Sequence, residues 1–204
     1  MIICIFVGVC KKMSNIKQQQ IIEAAFALFY QKGFHAVGIN EIIKQSQVAK
    51  KTLYNHFKNK DALILATLEW HHQQIIEHIQ QSITLAVPGK DTILVIFEQL
   101  DAWLNGKVKQ LPTCNGCYFT QAHKEFSMLN PEITALCLHH KQTFQTIFKI
   151  QVNDFEKDPQ KSRLIVDLLT LLKEGVIANE QIFQQKFSAQ QATFYIENIL
   201  RFKR

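Results

Sequence analysis

Apolar residues recur along this chain at helical rather than strand spacing. Ile22, Ala25, Phe26 and Phe29 fall at i, i+3, i+4 and i+7, one stripe on a first helix over roughly residues 15–32. Gly33 follows where a left-handed C-terminal residue belongs. Ile39, Ile42 and Ile43 predict a short second helix opened by Gly38, and Leu53 and Phe57 form the inner face of a third that starts near Lys50. Asn59 has the side chain of an N-cap for a long fourth helix, running through Leu63, Ala66, Leu68, Trp70 and Ile75 to about Leu85. After the Pro88-Gly89 break, a fifth helix is expected from about Thr92 to Lys107, then a loop over 108–116 and a short sixth helix to about Met128. Pro131 suits the first turn of a seventh helix that reaches about Phe155. Asp158-Pro159 interrupts the pattern again before helices over 160–178 and 188–203. With no internal repeat and no strand-like alternation, the expected fold is all-α with about nine helices.

Composition agrees with a packed core. The 204 residues are 47% hydrophobic and 20% charged, which excludes a disordered chain, and seven Gly with four Pro are too few for a collagen-like or Pro-rich one. Charge is distributed unevenly. Residues 14–65 carry seven Lys against Glu23, Glu41 and Asp61, whereas residues 66–204 balance 14 basic against 14 acidic side chains. A basic first quarter on a neutral body points to an anionic partner, nucleic acid before a membrane surface; a solvated Lys-rich face is the competing reading.

The opening MIICIFVGVC is apolar for about ten residues, half of what a membrane-spanning helix needs, and its bases Lys11 and Lys12 come after the apolar run. Residues 1–12 are therefore expected to be an upstream extension, with Met13 as the biological start. The five cysteines are an odd number at low density, which suggests a reducing, cytoplasmic setting.

Two short helices joined by about four residues in a basic segment make a helix-turn-helix pattern, whose second helix enters the major groove of DNA. Opposite Leu53 and Phe57, that helix offers Lys50, Lys51, Thr52, Tyr54, Asn55 and His56, all able to bond a phosphate oxygen or a base edge and none acidic. Lys60 follows at the start of the fourth helix, where the free N–H groups and helix dipole already favour phosphate. For Tyr54 and His56 the competing reading is helix–helix packing, and Lys58 is best read as a solvated lysine.

Residues 21–68 resemble the DNA-binding domain of the TetR/AcrR repressors, most specifically over Lys51-Thr52-Leu53-Tyr54-Asn55-His56-Phe57-Lys58-Asn59-Lys60-Asp61-Ala62-Leu63. The resemblance implies a homodimeric repressor that leaves a palindromic operator when a small molecule enters a C-terminal helical domain. It implies phosphate contacts from Thr52, Tyr54, His56 and Lys60, and Lys50, Lys51 and Asn55 at or near base edges. Three positions depart from the family pattern. Gln47 stands where a turn Gly is usual, Ala49 where a capping Ser is usual, and Gly38 where a Ser or Thr is usual, with Asn40 as the substitute phosphate contact. The implied division is 13–60 for DNA binding and 61–204 for ligand binding and dimerisation.

Asn115-Gly116-Cys117-Tyr118-Phe119 is similar to a Gly-Cys segment at the start of the sixth helix in one branch of that family. By position, helices four to seven should enclose an effector pocket. Trp70, Phe97, Trp103, Tyr118, Phe119, His123, Phe126 and Phe144 are the candidate lining residues, and His123 the expected polar handle. Plain core packing is the alternative for each aromatic. Cys114-x-x-Cys117, with Cys137, His139 and His140 downstream, has the residue types of a zinc or thiol site. One such pair is a weak pattern, and adjacent histidines point about 100° apart on a helix. No metal and no cofactor is expected, while thiol sensing at Cys114 and Cys117 stays open.

Leu164, Val166, Leu168, Leu169, Leu171 and Leu172 make one late helix too apolar for a surface, and Phe187, Phe194, Ile196, Ile199 and Leu200 do the same on the last. Paired with their symmetry mates they would form a four-helix dimer interface; completing the monomer core is the alternative. A helical enzyme or a protein-interaction scaffold is the rival class, but no nucleophile–base pair, paired carboxylates or phosphate-cradling Gly-rich loop is present in the sequence.

Overall fold

The computed structural model describes residues 16–183 and 188–201. Residues 1–12, Met13 and Phe187 lie outside these, as do the side chains of Ile199 and Leu200. The described residues form α1 (Ile16–Lys32), α2 (Ile39–Ser46), α3 (Lys50–His56), α4 (Lys60–Ile83), α5 (Lys90–Leu104), α6 (Tyr118–Phe126), α7 (Pro131–Phe155), α8 (Pro159–Phe183) and α9 (Ser188–Arg201), with no strand among them. They fall into two compact units divided between Thr67 and Leu68. No described helix is long and apolar enough to cross a membrane.

In the first unit α1 packs on α2 and α3. The stripe of Ile22, Ala25, Phe26 and Phe29 is buried as its spacing requires, and Ile42, Leu53, Phe57, Leu63 and Ile64 are buried in the same unit. Burial of each large apolar side chain contributes about 1.5–3 kcal/mol, so this small unit is held mainly by that cluster. Gly33 ends α1 at φ 88°, which glycine adopts without a Cβ clash. Asn59 caps α4, its Oδ1 accepting from the Ala62 N–H at 2.8 Å.

Both departures in the α2–α3 turn have a visible cost. Gln47 takes the left-handed conformation itself, φ 55° and ψ 27°, and is the one positive-φ non-glycine among the described residues. Ala49 starts α3 from an extended φ and ψ with no side-chain cap. Gln47→Gly is expected to raise stability by about 1 kcal/mol, the lower end of the left-handed penalty. Ala49→Ser should add a cap worth about 1 kcal/mol. Urea midpoints at constant m-value read both; a lower midpoint for either would mean that the turn depends on the residue now present.

In the second unit α5 and α9 pack together, as do α7 with α8 and α6 with α7. Its core holds Ile79, Ile93, Ile96, Phe97, Phe144, Phe148, Val152, Val166, Leu169, Val176, Ala192 and Ile196. Two Asx-Pro pairs set helix starts. Asn130 Oδ1 accepts from the N–H groups of Glu132 and Ile133 ahead of α7, and Asp158 Oδ1 from those of Gln160 and Lys161 ahead of α8. Several boundaries differ from the sequence expectation, among them the ends of α4 at Ile83, α5 at Leu104 and α6 at Phe126, each two or three residues early. Helix α5 starts at Lys90 because Gly89, at φ 98°, is its N-cap. Helix α8 runs five residues past Ala178, since Asn179-Glu180-Gln181-Ile182-Phe183 contains no Gly or Pro to stop it.

The apolar residues of α8 and α9 divide between two faces. Val166, Leu169, Val176, Ala192 and Ile196 are buried within this unit, and Leu172 packs against the same core. Leu164, Leu171, Ile182, Phe183, Phe194 and Tyr195 are exposed, Leu171 by 70%. Completing the monomer core therefore accounts for only part of these helices.

Candidate functional site

Helix α3 is short, and its two faces differ completely. Leu53 is fully buried and Phe57 follows it one turn later. Lys50, Lys51, Tyr54 and Asn55 are exposed, while Thr52 and His56 are half-buried at the margin. Tyr54 is 46% exposed, so nearly half of its surface does not serve packing. Asn40 is exposed in the first turn of α2, whose N-cap Gly38 has no side chain to bond a phosphate. Lys60 opens α4 with its Nζ 5.8 Å from the centre of the Phe29 ring. All eight residues expected to touch DNA thus lie on α2, α3 or the first residue of α4. The face combines exposed cations, amides and a phenol without a carboxylate.

The second unit contains a cavity of about 50 Å³. Of the expected lining residues it gathers Phe97, Trp103, Tyr118, Phe119 and Phe144. Trp70, His123 and Phe126 are not among its walls. His123 is exposed on the outer side of α6, so it is not the polar handle; Phe126 is buried and Trp70 half-buried elsewhere in the packing. His123, four residues after Phe119, is only about 40° round the helix from it, but Ala122 and Phe126 carry the inner stripe to the other side, which leaves His123 at the exposed margin.

The polar wall comes instead from residues not expected to line a pocket: His71 and His78 of α4, Gln99 of α5, Cys117, His140 of α7 and Lys173 of α8. Helix α8 is thus a fifth contributor beyond helices four to seven. The rings of His71 and His140 both lie parallel to that of Phe119, with centroids 5.8 Å and 3.6 Å away. Burial pushes the His71 pKa down to about 3, with the neighbouring His72 adding to the effect. His140 is also held well below the ordinary imidazole value, by burial first and by Lys173 next. Its Nδ1 lies 3.0 Å from Nδ1 of His72, so one of these neutral rings donates to the other. His78 Nε2 is buried with no hydrogen-bond partner among the described residues.

Beside these rings sits a charged group. Glu174 is shared by two ammonium groups, Lys141 through Oε2 and Lys173 through Oε1 at 2.7 Å. Lys141 also donates to Cys117 Sγ at 3.2 Å. Burial alone would raise the Cys117 thiol, but Lys141, Lys173 and a hydrogen bond from Thr120 outweigh it and lower its pKa. Cys137 goes the other way, raised to about 11 by burial and by Cys117 nearby. Gly116 explains the residue before Cys117: at φ 84°, a Cβ there would fall 2.1 Å from Gln181 Oε1. Cys114 and Cys117 both pack against the Trp103, Val108 and Ile177 cluster. Among the described residues no group of three or more His, Cys, Asp or Glu is arranged to hold a metal.

Comparison with known proteins bears on both regions. Residues 21–67 match the family described as bacterial regulatory proteins, tetR family. The chain is 28% identical over 95 residues to the fatty acid metabolism regulator protein of Bacillus subtilis (strain 168), covering 47% of this chain and 49% of that protein. It is 28% identical over 127 residues to the HTH-type transcriptional repressor NemR of Escherichia coli (strain K12), 60% of each chain. The matched part spans about half of the first relative's length. A crystal structure of a TetR-family transcriptional regulator from Streptomyces coelicolor superposes with a TM-score of 0.80, covering 91% of this chain and 94% of that one at 23% identity. At that identity the likeness establishes the fold alone.

Proposed function

The chain belongs to the TetR family of bacterial regulatory proteins, and on that premise we propose that it is a ligand-responsive transcriptional repressor, a homodimer released from a palindromic operator by a small molecule. The observation that carries this reading is α3, where Lys50, Lys51, Tyr54 and Asn55 are presented on the face opposite Leu53. Two such helices must reach successive major grooves about 34–36 Å apart. Thr52, His56 and Lys60 hold the phosphate backbone at the margin of that face, and Asn40 does so from α2.

Dimerisation would use the exposed side of α8 and α9. Leu164, Leu171, Gly175, Ala178 and Ile182 fall on one stripe of α8, and all five are exposed. Small residues in its middle let a second copy of the helix approach closely, with Phe194 and Tyr195 flanking from α9. The cavity would hold the effector. Helix α4 carries Lys60 at its start and cavity residues His71, Ile75 and His78 further on, so a ligand that favours one position of α4 shifts the spacing of the two readers. Access to chromosomal DNA places such a regulator in the cytoplasm.

The test is fluorescence anisotropy with the DNA upstream of the chain's own coding sequence, against an unrelated duplex of equal length. At least 10³-fold preference is expected at physiological salt; equal affinity would return the helical scaffold or enzyme reading. Within this experiment Lys51→Ala should relax discrimination at a few symmetric operator positions, since a Lys at guanine O6 and N7 gives about 1–3 kcal/mol of selectivity. Lys60→Ala should instead weaken all sequences alike and lower the salt slope by about 0.9 per half-site. A uniform loss for Lys51→Ala would move that residue to the backbone contacts.

A further inference from the structure

Lys173 is an unusual residue to find inside a helical core. It is 5% exposed, lies on α8 and forms part of the cavity wall. An ammonium group has three N–H donors. Among the described residues its Nζ makes one hydrogen bond, to Glu174 Oε1 at 2.7 Å, and sits 4.4 Å from the centre of the Phe144 ring. Donor capacity therefore remains at a buried cation, and leaving such capacity unused is costly in an apolar surround. The same cavity contains a second under-served group, His78 Nε2.

Charge points in the same direction. Lys141 and Lys173 share the single carboxylate of Glu174, and the Cys117 sulfur accepts from Lys141, not from Lys173. With a neutral thiol and both ammonium groups charged this group has one positive charge in excess, and burial, with Lys141 adding to it, holds the Lys173 pKa below the ordinary lysine value. One negative charge closes the balance, whereas a dianion such as a phosphate would leave a new excess buried among hydrocarbon side chains. Apart from Gln99 the remaining walls are apolar, a mixture of aliphatic and aromatic side chains, among them Ile79, Ile96, Phe97, Trp103 and Tyr118. His71 and His140 stay neutral there and add no charge of their own.

We infer that the effector is a compact apolar monoanion, a small aromatic or branched carboxylic acid, whose carboxylate accepts from Lys173 Nζ while its hydrocarbon body enters between α4, α5 and α6 and widens a cavity that otherwise measures about 50 Å³, less than the roughly 150 Å³ that holds a benzene ring. The inference deepens the regulator reading by naming the ligand class of its cavity. A carboxylate paired with Lys173 replaces a bare buried cation with a charge-assisted hydrogen bond, so binding gains from the anion itself and not only from apolar contact. A neutral ligand of the same shape leaves Lys173 as it was.

The test is calorimetric titration of the free full-length protein with benzoate and 3-methylbutanoate, each beside its neutral twin, benzamide and 3-methylbutanamide. At least one carboxylate is expected to bind ten times or more tightly than its amide. Lys173→Met removes the ammonium but leaves the Lys141–Glu174 pair, and it should bring acid and amide within twofold of each other. Circular dichroism confirms that the variant is folded, and the acid-to-amide ratio in the wild-type protein decides the matter without it. Amides that bind as well as the acids, no binding of either acid, or a carboxylate preference that survives Lys173→Met each overturn the inference. Operator binding is measured separately. Specific DNA binding without carboxylate binding removes only the ligand class, and absence of specific DNA binding removes the regulator reading whatever the calorimetry shows.

Discussion

Glu in place of both Leu164 and Leu171 is expected to convert the protein to a monomer in solution and to weaken operator binding by about 10²–10⁴-fold, the range by which linking two binding units exceeds one alone. Both leucines are more than two-thirds exposed, at 68% and 70%, so the substitutions remove no buried contact within one chain. They place four like charges across the interface of a symmetric pair, because each protomer contributes the same two positions. A single reader touches one half-site and retains only the salt-sensitive attraction of its lysines for phosphate. The choice of residues matters. Leu172, seven residues before Asn179 on the same helix, packs against the core, and charging it would unfold the unit instead of separating two copies. Sedimentation equilibrium beside operator anisotropy reads both effects. A folded monomer that still bound a palindromic site at full strength would remove the dimer from the mechanism.

Acid should destabilise the second unit steeply. His71 and His140 are 2% and 3% exposed and neutral in the folded chain, with His71 lowered to about 3 and His140 lowered well below its ordinary value. In the unfolded chain each titrates near 6.5. Below that pH the unfolded state binds protons that the folded state refuses, so stability is complete above about pH 6.5 and falls as pH drops toward the folded values. Two such protons correspond to a slope of about 3 kcal/mol per pH unit, and a domain with 5–15 kcal/mol in hand loses its fold within a few units. Urea unfolding at pH 7.5, 6.0 and 5.0 should show the decline, and replacing both histidines by Phe should remove about two protons from its slope. An unchanged slope in that variant would locate the acid sensitivity in other groups.

The reader helix was legible in the sequence to the level of single residues. A recognition helix is a local object: seven residues with a 3.6 period place Leu53 inside and Lys51, Tyr54 and Asn55 outside wherever the helix sits. The α2–α3 turn was legible for the same reason. A residue at the C-terminus of a short helix either takes the left-handed conformation or the turn changes, and Gln47 takes it. Helix ends were read less well where no breaker marks them, as at the far end of α8.

The cavity was legible only on its aromatic side. Phe97, Trp103, Tyr118, Phe119 and Phe144 could be proposed because large rings crowd the inner faces of amphipathic helices. Periodicity says which face of a helix turns inward, but a cavity is what several inward faces fail to fill, and that depends on how five helices meet. His71 and His72 are neighbours in sequence, yet one lies parallel to Phe119 and the other bonds His140, 68 residues away. Lys173, Glu174 and Lys141 gave no signal either, since lysines and glutamates on a helix ordinarily face water.

Residues close in the chain thus carried the all-α architecture, the helix-turn-helix unit, its exposed chemistry and its strained turn, because helical period, capping and turn geometry act over a few residues. Packing between distant helices decided the rest. It divided the leucines of α8 between core and surface, sent His123 outward, and brought a buried lysine, a thiol and three imidazoles to one cavity, with the Glu174 carboxylate bonded to that lysine. Burial and charge pairing are properties of neighbours in space, and in this chain those neighbours come from α4, α6, α7 and α8, more than a hundred residues apart at the extremes.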